Sequence, residues 1–361
     1  MSNSPSSSAD LLSFMDVGFD DIYEKKETMS ITKYMKLYSY VHNWCSGKID
    51  PASSSTKGEG TCRGTKVTVS ALSEKLYNRL KALLTDYVDG LVERGTELEA
   101  ETLLEYYTKR WADYQISSKV MHAVCAYLNR HWIDRKWKVD KQAVPVYQLC
   151  LLIWKERSAQ THTRLTAAIL QLIKRHRSGQ TVNTFLISAV IQCYVELGSV
   201  CADSQFRLNL YCSAFEDQFL ADTEQFYKKE VALFEQKQSG VAAEYMHKVK
   251  QRLKEETKRC ASYLHQTTEA KVVRLCEDVL IARQLHLLQI EFRYLLINDR
   301  REDLAFMFSL CTRVEDGLNR LKETFKSVVT EQGLAAIEKL GAVTVSVIIL
   351  LSHPKCCKFD H

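Results

Sequence analysis

Proline is scarce in this sequence, and its scarcity restricts the fold. Only four of the 361 residues are proline, and residues 52–144 and 146–353 contain none. Because proline removes an amide donor and clashes with the preceding helical turn, long tracts without it favour helix. Apolar residues also recur at intervals of three and four rather than two, as they do over 76–88. We therefore predict an all-α chain.

The sequence also lacks an excess of charge of one sign and a long apolar run. Its 49 basic and 44 acidic side chains leave a formal net charge of +5, which is too small to indicate a nucleic-acid or membrane partner by itself. The apolar run around 343–351 is about half as long as the roughly 20 residues that span a bilayer. We therefore expect no membrane anchor.

Residue patterns that carry chemistry are absent as well. No CxxC occurs, and His122 and His131 lie nine residues apart on different helical faces, which does not suit a metal ion. Cys125 and His131 would need an orienting acid to act as nucleophile and base, and a buried thiol is the preferred interpretation. The glycines within 58–64 miss the spacing of nucleotide-binding loops. We predict no catalytic residues, no metal and no cofactor, and hence not an enzyme.

The 12 cysteines are scattered singly through apolar helical patterns, and no secretory signal is recognisable ahead of them. This usage is typical of a reducing compartment, in which most thiols act as small buried hydrophobes. We therefore expect a cytoplasmic or nuclear location.

Several helix ends are marked in the sequence. The helix predicted over 162–177 finishes on a basic last turn that is followed by Gly179. Thr96, with Glu99 three residues later, predicts a capping box at the start of the helix through Arg110. Residues 46–70 are rich in Ser, Gly and Thr, which predicts a flexible loop between helices.

Two basic stretches raise the possibility of a nucleic-acid partner. Residues 129–141 interleave basic side chains with Trp132 and Trp137, a composition that suits phosphate contacts and base stacking, and 174–177 form a second cluster. Acidic residues dilute the first stretch, and helix C-termini such as the second attract cations anyway. A helical-repeat nucleic-acid-binding protein that uses patches 129–141 and 174–177 therefore stays open as the alternative function.

The helix predicted over 32–45 carries more aromatic residues than its core contact needs. Its core-facing side holds Leu37, Val41 and Trp44. Tyr34, Tyr38 and His42, spaced by four, form a second row with Met35 beside it. Such a surplus is typical of anchors that enter a partner's groove. A helix buried on two sides within its own bundle gives the same periodicity, so the pattern alone leaves both interpretations open.

The sequence contains the blocks "YMKLYSYVHNWC", "YYTKRWADYQISSKVMHAVCAYLNRHW", "LISAVIQCYVELG", "FEDQFLADTEQFY" and "QGLAAIEK". In this order, and over about 10–339, the sequence resembles the amino-terminal half of the cullin family. The resemblance implies an elongated stalk of stacked five-helix cullin repeats, which is similar to an α-solenoid. It divides the chain into a disordered start (1–9), the first repeat with its loop (10–140), the second repeat (141–260), an incomplete third repeat (261–339) and a divergent tail (340–361).

The resemblance also implies a partner. In cullins of this kind, the second and fifth helices of the first repeat bind a Skp1-like adaptor that carries F-box substrate receptors. On this sequence those helices correspond to 32–45 and 117–133. In the second helix we expect Met121, Val124, Leu128 and Trp132 to face the bundle core. The implied contact residues are Tyr34, Met35, Tyr38 and His42 on the first helix and Lys119, Ala123, Tyr127 and Arg130 on the second. His42 stands where the family member that this chain most resembles carries a tyrosine.

After 333–339 the sequence departs from the family pattern. In the family, the third repeat continues there and is followed by a half that holds a RING subunit and the lysine that accepts a ubiquitin-like modifier. We therefore expect a truncated form without a RING subunit. The expected function is that of a non-catalytic scaffold of an SCF-type cullin-RING ubiquitin ligase, acting in ubiquitin-dependent protein degradation.

Overall fold

The structure is a computed structural model, and it describes residues 8–24, 29–48, 69–140, 143–200, 207–236 and 242–352. Every regular element in these ranges is helical, with no strand among them. The all-α prediction is therefore confirmed. The chain divides into two units, Met1–Asp217 and Gln218–His361.

The first unit contains the helices of the predicted docking residues. Its α-helices are α1 (Ser8–Glu24), α2 (Ile31–Cys45), α3 (Val69–Arg94), α4 (Ala100–Val124), α5 (Ala126–Leu128), α6 (Asp134–Asp140), α7 (Val146–Arg157), α8 (Ala159–Arg177), α9 (Thr184–Gly198) and α10 (Asn209–Tyr211). Two π-helical turns interrupt the series, at Asn129–Ile133 and Cys212–Glu216.

The second unit is built from longer helices. They are α11 (Asp217–Gln236), α12 (Ala242–Tyr263), α13 (Gln266–Leu280), α14 (Leu285–Ile297), α15 (Arg301–Cys311) and α16 (Gly317–Ser352). Inside this unit Glu256 of α12 is 1% exposed, accepts a hydrogen bond from the Tyr227 hydroxyl at 2.7 Å and pairs with Arg259 at 2.9 Å. This buried carboxylate is therefore paired, as burial of a charge requires.

Helix α4 organises the core of the first unit. It packs against α1, α2, α7, α8 and α9, so it buries apolar side chains on more than one side. The ring of Tyr114 lies 4.8 Å from Trp154 and 5.5 Å from Tyr23, and the Tyr114 hydroxyl donates to the carbonyl of Cys150 at 2.9 Å. Trp154 in turn donates its indole N–H to the hydroxyl of Tyr107 at 2.9 Å. The polar groups of these buried aromatics are thus paired, as their burial demands.

Close backbone approach explains one glycine. A Cβ atom at Gly198, at the end of α9, would lie 2.0 Å from the carbonyl oxygen of Arg207. Because a backbone atom cannot move aside as a flexible side chain can, only glycine fits at this position.

Of the two predicted helix ends, one is confirmed and the other is wrong. Helix α8 ends at Arg177 on its basic last turn, and Gly179 follows with φ +84°, as predicted. The capping box is wrong. Thr96 donates its hydroxyl back to the carbonyl of Glu93, Glu99 makes no side-chain cap, and α4 begins at Ala100 with φ +48°. Because α4 begins only at Ala100, Thr96 does not occupy the N-cap position that a capping box requires.

Most cysteines that the structure describes are small buried side chains. Eight are free, and all of these but Cys212 are buried. Burial raises the pKa of the Cys125 thiol, which is 0% exposed, so this residue does not present a thiolate to His131. The interpretation of Cys125 as a buried thiol is therefore confirmed.

Several predictions about organisation stay predictions. The repeat boundaries at 140 and 260 are not tested by the division into two units. Residues 1–7, most of the loop at 46–70 and the end of the tail from 353 lie outside the described residues. Helix α16 runs through the first part of the tail. Within the part of the chain that the structure describes, no helix has both the length and the apolar character to cross a membrane.

A buried histidine makes the first unit sensitive to acid. His162 is 7% exposed, and burial, followed by the charge of Lys155, lowers its pKa from 6.5 to about 4. Between these two values the unfolded chain takes up a proton and the folded chain does not, so stability is complete above about pH 6.5 and falls as the pH drops. We expect this group to remove about 2 to 3 kcal/mol of unfolding free energy between pH 7 and pH 4.

Urea unfolding of the chain and of His162→Gln at about pH 7 and about pH 4 measures this effect. The variant should lose less stability than the original chain over the same interval, because other titrating groups act equally on both. Equal losses in the two proteins would contradict the assignment.

Candidate functional site

Helix α2 is fixed at both ends and along one face. Its N-cap Ser30 accepts a hydrogen bond from the amide of Lys33 at 3.3 Å. Its apolar side is buried at Leu37, Val41 and Trp44. The indole N–H of Trp44 donates to the carbonyl of Leu72 at 2.9 Å, which attaches the end of α2 to α3. The core-facing residues predicted for this helix are confirmed.

The second row of α2 is left outside the core. Tyr34, Tyr38 and His42 are half-buried, and Met35 is 51% exposed. The remaining exposed area of the row is thus open to another molecule. Tyr40, by contrast, turns toward α1, where its ring lies 4.8 Å from that of Phe14.

The second predicted docking helix, 117–133, is not one continuous helix. Residues 117–124 are the end of the 25-residue helix α4. The regular α-helix ends before Cys125, and the short α5 then leads into the π-helical turn Asn129–Ile133. The buried side is nevertheless as predicted, with Met121, Val124, Leu128 and Trp132 all buried. The other predicted residues lie outside this core, Ala123 and Tyr127 half-buried and Lys119 and Arg130 exposed.

The side chain of Asn129 stabilises the chain just after the end of α4. Its amide donates to the carbonyl of His122 at 3.2 Å, and its oxygen accepts from the backbone amide of Val146 at 3.1 Å. Burial lowers the pKa of His122, whose Nδ1 accepts from the backbone amide of Tyr147 at 3.3 Å. Asn129 thus joins the end of α4 to the start of α7 and sets the direction of the chain between them.

Replacing Asn129 by alanine should loosen this segment. The change leaves the amide of Val146 without its partner in a buried place, which costs about 1 to 3 kcal/mol. We expect a lower urea midpoint and faster amide hydrogen exchange over 126–133 than over α8. As a matched control, Asn78→Ala changes an exposed asparagine of α3 and should leave exchange over 126–133 unchanged. Equal exchange over 126–133 in Asn129→Ala and the original chain would contradict the role of Asn129.

Three rings connect the two predicted docking segments. The ring of His42 lies 4.5 Å from that of Tyr127 in an edge-to-face arrangement, and Tyr127 lies 4.2 Å from His131. Helix α2 also packs against α5 and α4. The structure therefore brings His42 and Tyr127 together. It also places His131, which is not among the predicted contact residues, beside Tyr127. The spacing of four between Tyr127 and His131 was the sequence signal for this neighbour.

The basic stretches are partly engaged within the chain. Trp132 is 8% exposed and donates its indole N–H to Ser70 at 3.2 Å, so it is not free to stack on a base. In the second stretch, Arg175 pairs with Glu101 at 3.2 Å, and Arg177 is 2% exposed. The features that favoured nucleic-acid binding in the sequence are thus weaker in the fold.

Within the ranges that the structure describes, no group of three or more His, Cys, Asp or Glu side chains is placed to hold a metal ion. What the surface of α2, Tyr127 and His131 offers is aromatic area with polar edges, which suits contact with another protein.

Comparisons with known proteins agree on one family. Residues 12–347 match the family model described as the cullin alpha solenoid domain. Cullin-1 of Caenorhabditis elegans is 35% identical over 335 residues, and the match covers 89% of this chain and 43% of the relative. Cullin-1 of Dictyostelium discoideum is also 35% identical, over 86% and 40%, and Cullin-1 of Schizosaccharomyces pombe is 30% identical, over 91% and 42%. The chain spans less than half of the length of these relatives.

Proposed function

The chain belongs to the cullin family, and on that basis we propose that it is a non-catalytic scaffold of a cullin-RING ubiquitin ligase. In this proposal it binds a Skp1-like adaptor with its F-box substrate receptor through α2 and the segment 117–133. The contact residues are those predicted from the sequence: Tyr34, Met35, Tyr38, His42, Lys119, Ala123, Tyr127 and Arg130. We call this set the docking surface.

The observation that carries the proposal is the contact between His42 and Tyr127. It makes the aromatic row of α2 continuous with the segment after Cys125, although 85 residues separate the two in sequence. The row keeps exposed area at Met35 and at the half-buried tyrosines. Aromatic anchors at the centre of an interface of roughly 800 Å² per partner supply most of its binding energy.

A scaffold of this kind acts through proximity. By holding a substrate receptor near a ubiquitin-charged enzyme, it raises the effective concentration of one for the other, and no side chain of its own needs to enter the reaction. For this reason the docking surface needs only affinity and a fixed orientation. The attachment of α2 to α3 through Trp44 supports such an orientation.

Binding of a purified Skp1-like adaptor to the purified chain tests the proposal. We expect a one-to-one complex in size-exclusion chromatography, with a dissociation constant that calorimetry can measure. Separate elution of the two proteins at micromolar concentrations, with the chain folded by circular dichroism, would contradict the proposed function.

We also propose a cytoplasmic or nuclear location. The eight free cysteines of the described residues support it, since free thiols persist in reducing compartments. Fractionation of cells that express the chain tests this location, and recovery in a secretory compartment would exclude it.

A further inference from the structure

A groove continues the docking surface beyond Tyr127. It has a volume of about 370 Å³ and lies between the end of α2, the start of α3 and the segment from Tyr127 to Val139. Among the residues that line it are Tyr127, His131, Arg135 and Lys136. A groove of this size holds one or a few side chains of a bound molecule.

The chemistry of the groove favours an anion. None of the residues that line it is acidic, whereas Arg135 and Lys136 are basic and Ser70 and Ser73 offer hydroxyl groups. Arg135 is exposed and has no ion-pair partner among the described residues. Val69 and Ser70 are the first residues of α3, and the N-terminal end of a helix favours negative charge as well.

We propose that this groove binds an acidic side chain, Asp or Glu, of the protein that occupies the docking surface. The inference rests on the proposed function and extends it, because it assigns Arg135 as a residue that selects an acidic partner. Tyr127 and His131 belong both to the chain of rings and to the groove, so one bound protein reaches the two places at once.

Charge argues against an occupant from this chain itself. The segment that links α2 to α3, residues 49–68, contains three basic and two acidic residues, so it has no excess of negative charge that would favour it as the occupant. A partner with an acidic segment has that excess, and complementary charge raises both the association rate and the specificity of such a contact.

The test measures the affinity of the Skp1-like adaptor for the chain and for Arg135→Glu, in low and high salt, at about 50 and 300 mM. Arg135→Glu should weaken binding about tenfold or more in low salt, and its affinity should depend less on salt than that of the original chain. The matched control is Lys138→Glu, which reverses an exposed charge on the same helix outside the groove. The control should change the affinity by less than about threefold.

The outcomes separate this inference from the proposed function. If the original chain binds the adaptor and Arg135→Glu binds equally well with the same salt dependence, the groove does not hold an acidic group and the docking surface stands. If the original chain does not bind, both proposals fail. An adaptor in which one Asp or Glu is changed to Lys should restore binding to Arg135→Glu, whereas failure of every such single change would exclude a direct pair.

Discussion

Replacing Tyr34 and Tyr127 together by alanine is expected to weaken binding of a Skp1-like adaptor by at least about tenfold. Buried aromatic anchors each contribute about 2 kcal/mol or more to an interface, and these two lie on the two segments of the docking surface. The substitution at Tyr127 also removes the ring that His42 and His131 contact. Calorimetry on the purified proteins gives the change in the dissociation constant.

A control on the same helix separates contact from stability. Tyr40→Ala removes a tyrosine of α2 that packs on Phe14 rather than belonging to the docking surface. It should leave the affinity within about threefold of that of the original chain. The double variant must also keep its helical circular dichroism. Unchanged affinity in the folded double variant would show that the docking surface is assigned to the wrong face.

Replacing Tyr114 by alanine is expected to cost about 3 to 5 kcal/mol of unfolding free energy. The side chain is 0% exposed, and its ring lies among those of Tyr23, Trp111 and Trp154. Removing it opens a cavity that these large rings cannot fill, and leaves the carbonyl of Cys150 without the hydroxyl that donates to it. Urea unfolding measures the loss.

Tyr114→Phe divides this effect into its two parts. It keeps the ring and removes only the hydroxyl, so it should cost about 1 kcal/mol. A loss in Tyr114→Ala no larger than that in Tyr114→Phe would mean that ring packing around α4 contributes little to the fold.

Periodicity in the sequence was sufficient to predict the helices and their buried sides. The three apolar residues of α2 and the four on the buried side of 117–133 are all in the core. Such faces follow from side chains repeating every three or four residues, which is a local property. The prediction that His42 belongs to the second row of α2 rested on the same local repeat.

The break at Cys125 could not be predicted in this way. It depends on the Asn129 side chain, which bonds to residues seven positions before and 17 positions after it. Local helix propensity cannot predict such contacts, because they form only when α4 and α7 pack together. Similarly, the spacing of Thr96 and Glu99 permits a capping box, but α4 begins only at Ala100, so Thr96 lies outside the N-cap position.

The groove beside Tyr127 needed the structure for another reason. In the sequence, Arg135 and Lys136 belong to a basic stretch with two tryptophans, a composition that suits nucleic acid. In the fold, Trp132 is buried, and Arg135 and Lys136 line one groove with serines of α3, which lie more than 60 positions away in the sequence. Which chemistry a basic stretch serves thus depends on its neighbours in space.

The central claim is that α2 and the segment after Cys125 form one docking surface. Photo-crosslinking tests it most directly, with benzoylphenylalanine placed separately at Tyr34, at Tyr127 and, as a control, at Tyr40. If the claim holds, the first two positions crosslink to the bound Skp1-like adaptor and position 40 does not. Crosslinking from only one of the two positions, or from neither while the complex is intact, would contradict it.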